Sequence, residues 1–255
     1  METLYIILFF ILGIVLGSFY NVVGYRLSLD KSIIKPGSYC PNCKEKLKAL
    51  DLVPIFSYLF LKGKCKYCHK KISLFYPLVE LFTGILFAVS FYSFGFTYEL
   101  LITLSLTSFL AIVIVSDLNF YIIPNQVTFF FGVLIFIINL LNYGIVGALK
   151  YGLYGLIMFL FMYLVMLLGN FIFKQESLGG GDIKLLFVLG MTLPLLLDFI
   201  GIVVATLLAF PIALYFMIKD KDKVLPFGPF LILGFLLLYM FKIDVKDIYN
   251  IFMNL

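Results

Sequence analysis

Two carboxylates and four thiols are the residues of this chain whose type and spacing could do chemistry. Asp182 ends the run Gly179-Gly180-Gly181-Asp182, set between two long apolar stretches that tolerate almost no other charge. An ionisable side chain at the edge of a membrane segment is costly, so it reads by default as a functional site. The glycines would let backbone and substrate approach closely. A bland alternative is a flexible connection in which Asp182 caps the next helix or pairs with Lys184. Asp117 occupies a similar place, in Ser116-Asp117-Leu118-Asn119-Phe120-Tyr121-Ile122-Ile123-Pro124-Asn125. There Pro124 biases Ile123 away from helix, so a break follows one apolar run before the next begins. A peptide bond within a membrane helix is shielded from water, and hydrolysing one needs an unwound, wetted pocket beside such a break. Two neighbouring carboxylates would supply the rest. Their mutual repulsion makes them share one proton. The ionised member then takes a proton from water while the protonated one polarises the carbonyl. Such a pair titrates as a unit, so neither acid is given a fixed role. Spacing alone does not bring the two together.

The thiols are Cys40-Pro41-Asn42-Cys43 and Cys65-Lys66-Tyr67-Cys68, two C-x-x-C pairs separated by 21 residues. That pattern fits a four-thiolate zinc site, each short turn supplying two ligands at little cost in ordering. A loop of this length is too small to hold a core of its own, and a metal staple would compensate. Disulfides compete, but a cytoplasmic loop is a reducing environment. Four thiolates leave no open coordination position, so the zinc is expected to be structural. His69 is expected to stay outside the ligand set.

The elements that must position these groups are helices in a membrane. Of 255 residues, 63% are apolar and 13% charged, far from the roughly 45–50% apolar of a soluble domain. Runs of apolar residues at membrane-spanning length predict eight transmembrane helices, near 4–24, 78–95, 100–116, 126–141, 150–172, 183–197, 200–218 and 227–241. No basic residue precedes the first run, which therefore reads as a retained span and not a cleaved signal. Gly13 and Gly17 in it are spaced as a small-residue packing face. The net charge of +5 is concentrated: the loop 26–77 carries eleven of the nineteen basic residues, which makes nucleic acid a poor partner and orients the chain. With that loop in the cytoplasm, Lys174, Lys184, Lys219, Lys221 and Lys223 also fall inside, leaving only Lys150, Lys242 and Lys246 outside. Asp117 and Asp182 then share the cytoplasmic face. Glu80 lies at a similar depth, and these three read as the most nearly embedded of fourteen acidic residues. Glu80 reads as a buried ion-pair partner, not a third catalytic acid. The organisation expected is an all-α polytopic membrane protein: a first transmembrane helix over 1–25, a tetracysteine loop domain over 26–77 and a transmembrane catalytic domain over 78–255.

Five stretches resemble the bacterial type IV prepilin leader peptidases, intramembrane aspartic proteases of the GxGD type. Gly17-Ser18-Phe19-Tyr20-Asn21-Val22-Val23-Gly24-Tyr25-Arg26 is similar to that family's N-terminal signature. The cysteine loop, with Pro54, Ser57-Tyr58-Leu59, Gly63-Lys64-Cys65 and Tyr76-Pro77-Leu78-Val79-Glu80, resembles its cytoplasmic zinc domain. Asp117 with Ile123-Pro124, Gly179 to Leu185, and Pro226-Phe227-Gly228-Pro229-Phe230 resemble its remaining motifs, in order. The resemblance implies cleavage of prepilins or pseudopilins just after a glycine, on the cytoplasmic side of their apolar segment. Asp117 and Asp182 would be the catalytic dyad, supported by Gly179, Gly180 and Gly181. It also implies methylation of the newly exposed N-terminal amine from S-adenosylmethionine. No glycine-rich nucleotide motif occurs in the loop, so residues that would hold the methyl donor are unassigned. Asn125 departs from the pattern, in which Asp commonly follows the proline. Three other readings compete: a peptidase without the methyl transfer, a transporter using the membrane-edge carboxylates, and a membrane-anchored zinc module that binds partners. The acids cluster at one face and none lies mid-span, which speaks against transport.

Overall fold

The computed structural model describes residues 1–174, 178–219, 225–243 and 245. Lys221, Lys223 and Lys246, used above to orient the chain, lie outside the described residues. The described chain is helical: α1 (Glu2–Leu27), the short α2 (Phe56–Phe60), α3 (Phe75–Phe94), α4 (Tyr98–Phe120), α5 (Asn125–Phe173), α6 (Gly180–Leu189), α7 (Leu195–Lys219) and α8 (Gly228–Met240). Five of these, α1, α3, α4, α5 and α7, are long and apolar enough to cross a membrane.

α4 is the post around which the others stand. It packs against α1, α3, α5 and α8, and Leu106, Phe109 and Val113 are wholly buried. Its hydroxyls do not disrupt this, because Thr103, Ser105 and Ser108 each donate to a carbonyl one turn back, at 2.7–3.1 Å. Satisfying polar groups within the segment is what an apolar surrounding requires. Tyr20 of α1 donates to Ser108 at 2.7 Å, fastening α1 to the post.

α1 and α3 lie in backbone contact, as the glycine spacing in α1 predicts. A Cβ on Gly13 would stand 2.8 Å from Gly84 Cα, and one on Gly17 would stand 2.9 Å from Glu80 Cα. Any side chain at these positions would push the two helices apart.

The predicted spans 126–141 and 150–172 are the two halves of α5, and they fold back on each other. Gly144, at φ +68°, breaks the helix between them. A Cβ on Gly152 would touch Phe136 at 3.8 Å, although a straight helix would separate those positions by about 24 Å. Tyr143 and Tyr151 stack across the turn, 5.2 Å between ring centroids.

The predicted sixth span, 183–197, is corrected. α6 stops at Leu189, residues 190–194 form turns, and α7 starts at Leu195, earlier than the predicted 200. Pro194 cannot donate to a continuing helix and sets the boundary. At ten residues α6 spans about 15 Å, half a bilayer core. It is nevertheless deeply buried through Leu185, Leu186 and Leu189, wedged between both halves of α5 and α8.

Candidate active site and metal centre

Asp117 falls inside the last turn of α4, which runs to Phe120 and past the predicted end at 116. Its residue is 6% exposed. The helix ends on Tyr121 in the left-handed conformation (φ 55°), whose N–H donates to the Asp117 carbonyl at 2.9 Å. Residues 121–124 are then non-helical, and Pro124 precedes the first residue of α5. The proline break expected from sequence is present, and it sits one turn from the carboxylate.

Asp182 lies in the first turn of α6, which is capped by Gly179. Its Oδ2 would be 3.6 Å from a Cβ on Gly179, while Gly180 has nothing within 4 Å of that position. Gly181 is pressed on the first motif: a Cβ there would meet Ile123 Cδ1 and Cβ at 3.1 and 3.2 Å. The segments 117–125 and 179–185 therefore pack directly together, and Asp182 lies within the electrostatic reach of Asp117. Lys184 does not pair with Asp182, as the bland alternative supposes. It donates instead to Asn125 Oδ1 at 2.9 Å, tying the start of α6 to the start of α5. Asn125, the departure from the family pattern, thus serves as a neutral acceptor.

Two further residues complete this pocket, Gly228 and Ile123. Gly228 opens α8, and its backbone abuts the Asp117 carboxylate. A Cβ on Gly228 would stand 2.9 Å from Ile123 Cδ1, 3.1 Å from Asp117 Oδ2 and 3.2 Å from Leu185 Cδ1. Sequence reasoning quoted the stretch 226–230 but gave Gly228 no task, because a glycine before a proline reads as a helix start. Its approach to a carboxylate 111 residues earlier is a tertiary contact with no local signal. Asp198 was also missed. It is wholly buried in the first turn of α7, and neither carboxylate oxygen has a hydrogen-bond partner among the described residues. Asp198 is therefore more enclosed than Asp117 or Glu80, contrary to the expectation that those led the acidic residues. The early start of α7 is what draws it inside.

Glu80 is also corrected. It is 7% exposed but forms no ion pair with a described residue. Its carboxylate accepts the backbone N–H of Ile55 at 2.8 Å.

The tetracysteine loop holds two copies of one turn. Cys40 N–H donates to Glu45 O at 3.0 Å and Lys44 N–H returns to Cys40 O at 2.9 Å. Cys65 with Lys70 and His69 repeats the pattern at 2.9 Å and 2.9 Å. Lys44 and His69, at φ 60° and 56°, take the left-handed position that closes each turn. The four sulfurs all lie within 4.8 Å of one another, with Cys40 and Cys68 Sγ 3.9 Å apart. Tetrahedral thiolates at about 2.3 Å from zinc sit about 3.8 Å from each other, so the donor set fits that ion. A disulfide would need sulfurs about 2 Å apart, and all four cysteines are free. The Lys70 backbone N–H and then the Asn42 amide push the Cys68 thiol down to about 6, favouring the thiolate a metal binds. Lys70 in turn donates to Asn42 at 2.8 Å, holding that amide in place. His69 is exposed and outside the cluster, as expected.

An apolar, many-helix chain with five helices long and apolar enough to cross a membrane is a polytopic membrane protein, and its four clustered cysteines could hold a metal ion. The description "Bacterial Peptidase A24 N-terminal domain" matches residues 11–94, and "Type IV leader peptidase family" matches residues 104–218. The prepilin leader peptidase/N-methyltransferase of Bacillus subtilis is 36% identical over 250 residues, covering 94% of this chain and 96% of that protein. The protein so named in Neisseria gonorrhoeae is 30% identical over 243 residues, covering 86% and 84%. That of Myxococcus xanthus is 39% identical over 187 residues, covering 73% of this chain and 56% of its own length. No solved structure matches. The chain belongs to the type IV leader peptidase family.

Proposed function

We propose that this protein is an aspartic endopeptidase that removes the leader of type IV prepilins or pseudopilins after a glycine, with Asp117 and Asp182 as its dyad. The observation that carries the reading is the convergence of three segments, 117–125, 179–185 and 226–230, on one pocket at the ends of α4, α6 and α8. One carboxylate, ionised, takes a proton from water as the water oxygen attacks the scissile carbonyl carbon. The other, protonated, donates to the carbonyl oxygen and stabilises the tetrahedral intermediate; collapse breaks the C–N bond, and the amine leaves with a proton. The close approach of Gly228 leaves no room for a side chain at that position beside the Asp117 carboxylate.

The freed amine would then be methylated. Its nitrogen attacks the methyl group of S-adenosylmethionine, loses a proton, and releases the donor as a neutral thioether. The names of the relatives support this second step; the residues that would hold the donor are unassigned. Cys40, Cys43, Cys65 and Cys68 would hold one structural zinc, which supplies the loop domain with a fixed core.

The topology proposed has eight membrane segments: α1, α3, α4, the two halves of α5, the short α6 with the turns 190–194 that follow it, α7 and α8. The first helix (1–25) and the catalytic bundle (78–255) flank a cytoplasmic loop domain (26–77), and the dyad faces the cytoplasm of a multi-pass protein in the cell membrane. The concentration of basic residues in the loop supports that orientation.

The test is cleavage of a prepilin peptide in lipid by wild type, Asp117→Asn and Asp182→Asn, with and without S-adenosylmethionine, read by mass. Each variant is expected to lose cleavage by about a hundredfold or more, with folding and zinc content kept. Wild type is expected to cut after glycine and add one methyl mass. A variant that cleaves at near wild-type rate would sink the dyad and return the carboxylates to an ion-pathway reading.

A further inference from the structure

We propose that the short helix α2 is a membrane-docking surface: Phe56, Leu59 and Phe60 sit in the headgroup layer of the bilayer that the chain already spans, held at that level by Glu80 as a positioning residue.

α2 wears its apolar side outward. Phe56, Leu59 and Phe60, at spacings of three and four, share one face, and they are 58%, 63% and 84% exposed. The other face turns into the loop domain, where Tyr58 packs against Gly63 and donates to Ile72 O at 3.5 Å. Water is a poor cover for two phenylalanines and a leucine side by side, and large exposed apolar patches mark interaction sites.

The hydrogen bond to Glu80 says what covers them. Ile55, the residue before α2, has φ 60° and ψ −53°, and Phe56 N–H donates to Pro54 O at 2.6 Å. That is a γ-turn of the rare, strained kind, and a β-branched residue at its centre is a genuine outlier. The Ile55 N–H is held at 2.8 Å by the carboxylate of Glu80, which stands in the second turn of the membrane helix α3. α2 is thereby pinned beside the start of α3. Phe19 of α1, Ile34 and Leu52 line, with Ser18, Arg26 and Ser38, a depression of about 290 Å³ between α1 and the loop. Lys62 and Lys64, both exposed, follow α2 directly. Basic residues flanking an apolar face are the pattern of a segment lying in an anionic lipid interface.

The chain contains no Trp, so Phe60→Trp in the full protein gives a single reporter. It is reconstituted, without prepilin, in phosphatidylethanolamine–phosphatidylglycerol vesicles with ordinary or brominated acyl chains. The expected result is blue-shifted emission, most of which is lost in brominated vesicles. Emission that brominated lipid leaves unchanged overturns the proposal, whether water-like (an exposed face) or blue-shifted (a face covered by a second copy). In the same background Glu80→Ala is expected to lose much of the quenching. Glu80→Gln, whose amide oxygen still accepts the Ile55 N–H, is expected to restore it. Quenching that is equal in all of these removes Glu80 from the role. Zinc content and prepilin cleavage, measured alongside, report that each variant is folded. The quenching does not depend on the peptidase reading, so the two can fail separately.

Discussion

Gly228→Ala tests whether the pocket is read correctly. Alanine suits a helix better than glycine by up to about 1 kcal/mol, and no left-handed conformation stands in its way, although Pro229, next in the chain, works against a Cβ at this helical position and takes back part of that gain. The new Cβ, however, would lie 2.9 Å from Ile123 Cδ1, 3.1 Å from Asp117 Oδ2 and 3.2 Å from Leu185 Cδ1. The tip of Ile123 can rotate away. The Asp117 carboxylate has to give by a few tenths of an ångström. Catalytic geometry is sensitive at that scale, a 1 Å misplacement costing about a hundredfold. The expected loss in kcat/KM is therefore about tenfold to a hundredfold, or about 1.4–2.7 kcal/mol of transition-state stabilisation. Gly181→Ala, whose Cβ meets Ile123 at 3.1–3.3 Å, should fall below it in severity, and Gly180→Ala, with nothing within 4 Å, should lose least. The assay is initial-rate cleavage of one prepilin peptide in one lipid, with thermal stability measured in parallel. Were Gly180→Ala to lose as much as Gly228→Ala at equal stability, contact with Asp117 would not be what makes Gly228 matter.

Three other outcomes follow from contacts already described. Removal of the proposed zinc by a chelator, or Cys40→Ser, should loosen the loop, seen as faster proteolysis between residues 26 and 77. Cobalt in its place should give the intense thiolate charge-transfer bands of a four-sulfur site. Asn125→Asp would set a carboxylate 2.9 Å from the Lys184 ammonium in an exposed place, so thermal stability should rise by no more than about 1 kcal/mol, and less in high salt. Gly13→Leu would force a side chain between α1 and α3 where even a Cβ would stand 2.8 Å from Gly84 Cα. It should cost well over the usual 1–3 kcal/mol of overpacking, and the protein should fail to accumulate in the membrane.

The groups that do the proposed chemistry were legible because a membrane makes them conspicuous. Asp117 and Asp182 stand out against apolar runs, Pro124 breaks the chain where a break is needed, and C-x-x-C pairs carry their own geometry. The hairpin in α5 was legible as two spans because turn residues separate two apolar runs. What could not be read was contact between distant segments. The approach of Gly228 to Asp117 leaves no trace in local composition, and Glu80 offered only its charge, which suggested an ion pair. Its actual partner is the Ile55 backbone N–H, which has no sequence signature. The sixth span was drawn too long because hydropathy counts Met191, Leu193 and Leu195 to Leu197 as apolar whether or not they are helical. Pro194 decides that question through its missing N–H, not through its hydropathy. The same shift moved Asp198 from an expected outer span end into the interior.

The shortness of α6 bears on how such a pocket can work at all. A helix that crossed the bilayer fully would have to start well before Gly179, burying the glycine run in helical hydrogen bonds. Because α6 starts at Gly180 and spans about 15 Å, Gly179 remains extended and the N–H groups of Gly180 and Gly181 lack partners within the helix. Those groups, beside two carboxylates and the non-helical segment 121–124, form a polar patch at the end of an otherwise apolar bundle. A substrate strand entering there would find backbone donors and acceptors to replace the helical bonds it gives up. The substitution that reports on this is Gly180→Pro, which removes one such donor while leaving φ suited to a helix start. Cleavage should fall through a raised KM, with stability unchanged. A fall in stability with KM unaltered would mean that the donors at this end serve the fold and not the substrate.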